Sequence, residues 1–309
     1  MLKKFLLISL FLFSSYTVAN MDNTQYSVYF KTEYGVCLLK INEVIYLDTL
    51  TGPKTISTGA DMTGWLENGE NDVGLIFYPA RTKVQYDKKY CEVKIVKKVP
   101  GQQEKIITNF KITFDGKSER SDKSAYSVVD ISDTTGNKLM EGTYNKIKFD
   151  NDPAPKDWIT AVRKINASNI PEWAWTKATP QENNANLRNQ LISAYQGLIT
   201  DLSKNDLRTI KRKYSIALEE YVKSNPSYSK DEFFSSIGIE DAMANGTLVL
   251  HPDWSKYNVY FYQKDRVFCL AMDEGKRNSP IRFYDSNGDF VFAWNPFFSM
   301  INGKLVLVR

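Results

Sequence analysis

One histidine, His251, and three cysteines, Cys37, Cys91 and Cys269, are all the imidazoles and thiols in 309 residues. Zinc and blue-copper sites draw on several His or Cys ligands, and this chain cannot assemble three His. Any Ser-His-Asp or Cys-His arrangement would have to recruit His251. That residue precedes Pro252 at an expected strand end and reads as a turn residue. Phosphate loop, dinucleotide fingerprint and nucleophile elbow are missing as well, since clustered glycines occur only in turns. No cofactor is expected, and no metal site. Asp265, Asp273, Glu274 and Asp285 could converge as calcium ligands, but their spacing fits no EF-hand loop and turns are where solvated acids ordinarily stand. A glycosidase-type carboxylate pair is the catalytic arrangement that chain spacing does not exclude.

Charge of one sign is equally scarce. Lys and Arg number 40 against 36 Asp and Glu, a formal +4, and two of the cations, Lys3 and Lys4, stand in a leader-like segment. Without them the count is 38 against 36, too even for the basic footprint of a nucleic-acid binder. Residues 1–19 open with those lysines, run through an apolar stretch at 5–13 and end in Thr17, Val18 and Ala19. This pattern predicts a secretory signal peptide cleaved after Ala19. The apolar stretch is too short to span a bilayer, so the mature form is expected to have no integral membrane segment. A periplasmic location follows, with secretion as the alternative.

Export permits disulfides. Cys37 shares a strand face with Leu39 and Ile41, and Cys91 with Val93 and Ile95, so both thiols face a core in the same half of the chain. They are read either as a Cys37–Cys91 bridge or as two buried free thiols. Cys269, the odd one, is read as a buried thiol.

The fold class expected is α+β, an N-terminal antiparallel β-sandwich followed by a helical section packed on a C-terminal antiparallel sheet. From 25 to 149 short alternating runs are separated by turn residues: strands at 26–32, 36–41, 44–50, 73–78, 90–98, 105–114, 127–132 and 138–144. This places a sandwich domain at 20–150. Residues 151–182 read as a connector, opened by Pro153 and Pro155, with a short helix at 156–165 and then Pro171, Trp173 and Trp175. The last unit spans 183–309. Leu187, Leu191, Ala194, Leu198 and Leu202 recur at helical spacing, as do Leu207, Ile210, Tyr214, Leu218 and Tyr221. Ser229 and Glu232 form a capping box that opens a third helix. Strands follow at 247–250, 258–262, 266–272, 281–285, 290–294 and 304–308, the last entered through the hairpin dipeptide Asn302-Gly303.

Aromatics are plentiful, with 6 Trp, 18 Tyr and 17 Phe. Trp173 and Trp175, two apart, share one face of an extended segment. One reading has them staple the connector to both domains; the other makes them a partner-binding or sugar-stacking platform. Lys211, Arg212 and Lys213 read as a solvated helix face, and Glu67, Glu70 and Asp72 as an exposed turn.

The stretch 64–77, with Gly69 and Asn71 leading into an apolar strand, looks like the corner of jelly-roll and galactose-binding-like sandwiches, which specifies shape and not ligand. As an organisation, an exported β-sandwich, a Pro/Trp connector, helices carrying Leu218, Tyr221 and Phe233, and a terminal sheet with Arg282, Trp294, Phe297 and Leu305 resemble periplasmic immunity proteins. These accompany antibacterial effectors such as those of type VI secretion. The resemblance implies a non-catalytic protein that neutralises a cognate toxin by occluding its active site, and it transfers no individual residue. Affinity would come from an aromatic cluster with a polar rim, on the sandwich loops or in the groove between the domains. A carbohydrate- or envelope-binding module is the second expectation and an envelope hydrolase using carboxylates the third.

Overall fold

The computed structural model describes residues 24–50, 55–79, 89–114, 119–121, 159–272 and 279–309. The leader, the strands expected at 127–132 and 138–144, Pro153, Pro155, Asp273 and Glu274 lie outside them. The architecture is α+β with antiparallel sheets, the strands of the first half preceding the helices and the C-terminal strands following them.

The N-terminal strands are β1 (Gln25–Glu33), β2 (Gly35–Ile41), β3 (Val44–Asp48), β4 (Ile56–Asp61), β5 (Gly69–Pro79), β6 (Tyr90–Lys98), β7 (Lys105–Phe114), β8 (Glu119–Ser121) and β9 (Ile159–Ala167). They form two sheets, β4-β1-β6-β7-β8 and β3-β2-β5-β9. Side chains alternate as a half-buried strand requires: Tyr26, Val28, Phe30 and Thr32 of β1 point into the core, while Tyr29 and Lys31 point out. Cys37 on β2 and Cys91 on β6 are joined by a disulfide across the two sheets, with Cα atoms 6.1 Å apart. Gly35 lies so close to Phe77 that any side chain there would run into the ring. The β2–β3 turn puts Asn42 and Glu43 at φ 44° and 74°, both left-handed, which is the primed turn that matches strand twist.

The helix expected at 156–165 is not formed. Residues 159–167 are β9, the edge strand paired with β5 from Gly69↔Ala167 to Phe77↔Ile159. Ala161, Arg163, Ile165 and Ala167 point inward and Lys164 outward. The alternation is masked by the inward arginine, which is buried, donates to Thr108 Oγ1 at 3.1 Å and lies over the Phe110 ring.

The helices are α1 (Ala185–Ser203), α2 (Leu207–Lys213), α3 (Ser215–Ser224), α4 (Lys230–Ser236) and α5 (Ile239–Asn245). Asn184 caps α1, accepting from Leu187 N at 2.9 Å, and the capping box of Ser229 and Glu232 on α4 is formed. The helix expected through Tyr214 is divided there into α2 and α3, with Tyr214 outside helical geometry at ψ 7°. The following strands are β10 (Thr247–Leu248), β11 (Tyr257–Tyr262), β12 (Val267–Met272), β13 (Ile281–Tyr284), β14 (Phe290–Trp294), β15 (Phe298–Ile301) and β16 (Lys304–Leu307). They make a three-stranded sheet, β10-β13-β14, and a four-stranded one, β11-β12-β15-β16.

That four-stranded sheet is buried on both faces. Tyr262, Val267, Cys269 and Val308 enter the sandwich core, whereas Phe261, Phe268, Leu270, Met300 and Leu307 pack under the helices. This is why β12 reads as an unbroken apolar run instead of an alternating one.

Candidate functional site

Where the sandwich, helix α3 and the C-terminal strands meet, a cavity of about 290 Å³ opens. Its walls are Tyr46 of β3, Trp65, Tyr214, Tyr221 of α3, Phe233 of α4, Trp294 and Phe297, with Asp61, Glu220 and Arg309 as its charged groups. At this size it lies at the lower edge of ligand pockets and suits a single side chain or a molecule of similar bulk.

The 63–66 turn that carries Trp65 is held from three directions. Asn71, buried at the Gly69-x-Asn71 corner, donates to Glu67 O at 2.8 Å and accepts from Glu67 N at 3.0 Å. Trp173 donates Nε1–H to Leu66 O at 2.9 Å, and Trp175 to Gly64 O at 3.2 Å. From the β11–β12 turn, Gln263 donates to Trp65 O at 3.0 Å. Gln263, Lys264 and Asp265 all take left-handed backbone angles, φ 56°, 58° and 62°, which folds this turn tightly enough to bring Lys264 and Arg266 onto Glu67. Burial alone would raise the Glu67 carboxyl, but hydrogen bonds from those two cations outweigh it and hold the group below its ordinary range. The exposed acidic turn expected at 67–72 is thus corrected: Glu67 is a largely buried ion-pair partner, and residues from Gly69 onward are strand.

Trp173 and Trp175 are 0% exposed. They present no platform to a partner or sugar, so their assignment as partner-binding residues is corrected. Each ring is enclosed in the sandwich core, and each indole N–H is spent on the turn that carries Trp65. The reading that made them staples is the one the geometry follows. His251 is exposed. Among the described residues no group of three or more His, Cys, Asp or Glu could hold a metal ion.

Arg309 closes the floor of the cavity. Its guanidinium donates to Gly64 O at 2.6 Å, to Val308 O at 2.7 Å and to Glu220, and lies 5.8 Å from the Trp65 ring centre and 5.5 Å from that of Trp173. Glu220 Oε1 accepts from the backbone N–H of Ala174, so both carboxylate oxygens are engaged. Asp61 accepts from Thr63 N at 2.9 Å and from the Thr63 hydroxyl, while the Tyr46 hydroxyl donates to the Asp61 carbonyl. Burial raises the Asp61 carboxyl above its ordinary range, against the opposing pull of Thr63, Ser224 and Lys98. Burial first, and then the neighbouring Asp61 charge, push the Tyr46 and Tyr221 phenols upward. Tyr221 is stacked on Phe233 with ring centres 3.3 Å apart.

None of Tyr46, Asp61, Glu220 or Arg309 was singled out from the sequence. They come from four segments scattered over the chain, and no local spacing relates them. A second hollow, on the outer face of the first sheet, is lined by Tyr29, Lys31, Ser57, Glu92 and Lys94, but Lys94 and Lys98 already cover the Tyr29 ring at 4.5 and 5.6 Å. No family model matches the chain, and no curated protein or solved structure is detectably similar to it.

Proposed function

We propose that this chain is an exported binding protein of the periplasm, of the immunity kind, which neutralises a protein toxin by seating part of it at the aromatic pocket between the sandwich and the helices. The observation that carries the reading is the pocket itself: aromatic walls, a few converging polar groups and room for one inserted side chain, the anatomy of a binding hot spot. The Cys37–Cys91 disulfide is compatible with an oxidising compartment. Of the two carboxylates that line the pocket, Glu220 has both oxygens engaged and only Asp61 stands without an ion-pair partner among the described residues, which favours binding over two-carboxylate hydrolysis. The sugar-binding alternative rested on Trp173 and Trp175, which are enclosed.

The test is genetic. A strain lacking the chain should be intoxicated beside its kin and rescued by the wild-type gene in trans, but not by one carrying Tyr221→Ala with Phe233→Ala. Unimpaired growth of the deletion strain among kin would sink the proposal.

A further inference from the structure

The lining of the pocket specifies what it receives. Its three charged groups, Asp61, Glu220 and Arg309, leave one net negative charge. Arg309 and Glu220 neutralise each other with their hydrogen-bonding edges spent, so the lining charge without an ion-pair partner among the described residues is that of Asp61, on which Lys98 acts from outside the lining. Around it stand the rings of Tyr46 and Tyr221, both close enough to feel its charge. Tyr214, 5% exposed, lines the same space. One cation is already held on the aromatic wall: Arg309 lies over Trp65. Aromatic faces around a carboxylate attract ammonium and guanidinium groups and have little to offer an anion or a neutral polar group.

We propose that the pocket is a receptor for one basic side chain, a lysine or arginine presented by the protein partner, whose charged head meets Asp61 and whose methylenes lie against Tyr46, Tyr221 and Phe233. This specifies the chemistry of the pocket and rests on its being the binding site. The head group donates to the Asp61 carboxylate, beside the rings of Tyr46 and Tyr221 that feel its charge. The charges that face Asp61 are Lys98 from β6, the Tyr46 phenol from β3 and the Tyr221 phenol from α3, with Glu220 and Arg309 across the cavity. Burial outweighs the pull of Lys98 and holds the Asp61 carboxyl above its ordinary range, so affinity should be lost as pH falls through that raised folded pKa.

The experiment titrates the full chain with N-acetyl-lysine methylamide, N-acetyl-arginine methylamide and, as neutral isostere, N-acetyl-norleucine methylamide, read by tryptophan fluorescence and by NMR shifts of the pocket residues. Saturable binding of a basic probe, about tenfold tighter than norleucine, is expected. Asp61→Asn, shown by circular dichroism to be folded, should remove that preference, as should Tyr221→Leu. A tenfold preference corresponds to about 1.4 kcal/mol, on the scale of one hydrogen bond to a charged group. Equal binding of norleucine, no saturable binding of any probe, or a preference unchanged in Asp61→Asn would overturn the proposal. The outcome is separable from the kin-intoxication test: a basic-probe preference in a protein whose deletion strain thrives would leave the pocket chemistry standing and remove the toxin.

Discussion

Glu220 and Arg309 form a largely buried ion pair that ties three parts of the chain together, their side chains 12% and 11% exposed. The Glu220 carboxylate holds Ala174 as well as Arg309, and Arg309 in turn holds Gly64. Removing one member of such a pair strands the other charge in a medium that solvates it poorly. Glu220→Gln and Arg309→Gln should each lower stability by about 3 kcal/mol. In urea denaturation the double variant should lose clearly less than the sum of the two, because neither charge is left unpaired.

The disulfide between Cys37 and Cys91 spans 54 residues and joins the two sheets of the sandwich. Loop-closure entropy assigns such a link about 4 kcal/mol. Reduction, or Cys37→Ala with Cys91→Ala, should lower the denaturation midpoint accordingly. Cys269→Ala, at a buried thiol outside the disulfide, should leave the response to reductant unchanged.

Asp61 and Glu67 should give opposite pH signatures. Asp61 has a raised folded pKa, so its ionisation costs folding stability; the cost is absent below the unfolded pKa and complete above the folded one. Asp61→Asn should therefore raise Tm at pH 7 and leave it unchanged near pH 3. Glu67 has a lowered folded pKa, and its stabilisation is full above the unfolded value and lost as pH falls through the folded one. Glu67→Gln should lower Tm at pH 7 and lose that effect in acid. Melting curves across pH for the two variants decide both.

Trp173 is enclosed and donates to Leu66 O, so its loss is a matter of stability. Trp173→Ala should cost about 3–5 kcal/mol. Trp173→Phe, which retains most of the ring but strands a buried carbonyl, should cost about 1–3 kcal/mol. If Trp173→Phe kept full stability yet abolished partner binding, its assignment to the core would be wrong.

Elements governed by neighbouring residues were legible in the chain. Strand 290–294 has the bounds its pattern predicts, the Asn302-Gly303 turn sits at φ 50° and 72°, and the Ser229 capping box is formed. Where a residue answers to a distant partner, the reading failed. Arg163 points inward to Thr108 and Phe110, hiding the period of β9. Tyr214 leaves helical geometry and stacks edge-on against Trp294, dividing a continuous apolar pattern into α2 and α3. Strand β15 follows Pro296 too closely for its four residues to show a period.

The amino-acid order alone determined the class of fold, the inward faces of Cys37 and Cys91, and the main strands and helices, because each follows from spacing within about a dozen residues. The tertiary structure decided that those thiols are joined, that Trp173 and Trp175 are enclosed, and that Tyr46, Asp61, Tyr221 and Arg309 surround one cavity. Gly64 and Arg309, hydrogen-bonded across 245 positions, show why. Periodicity reports which side of an element faces inward, but which elements face one another is settled only when sheets and helices pack.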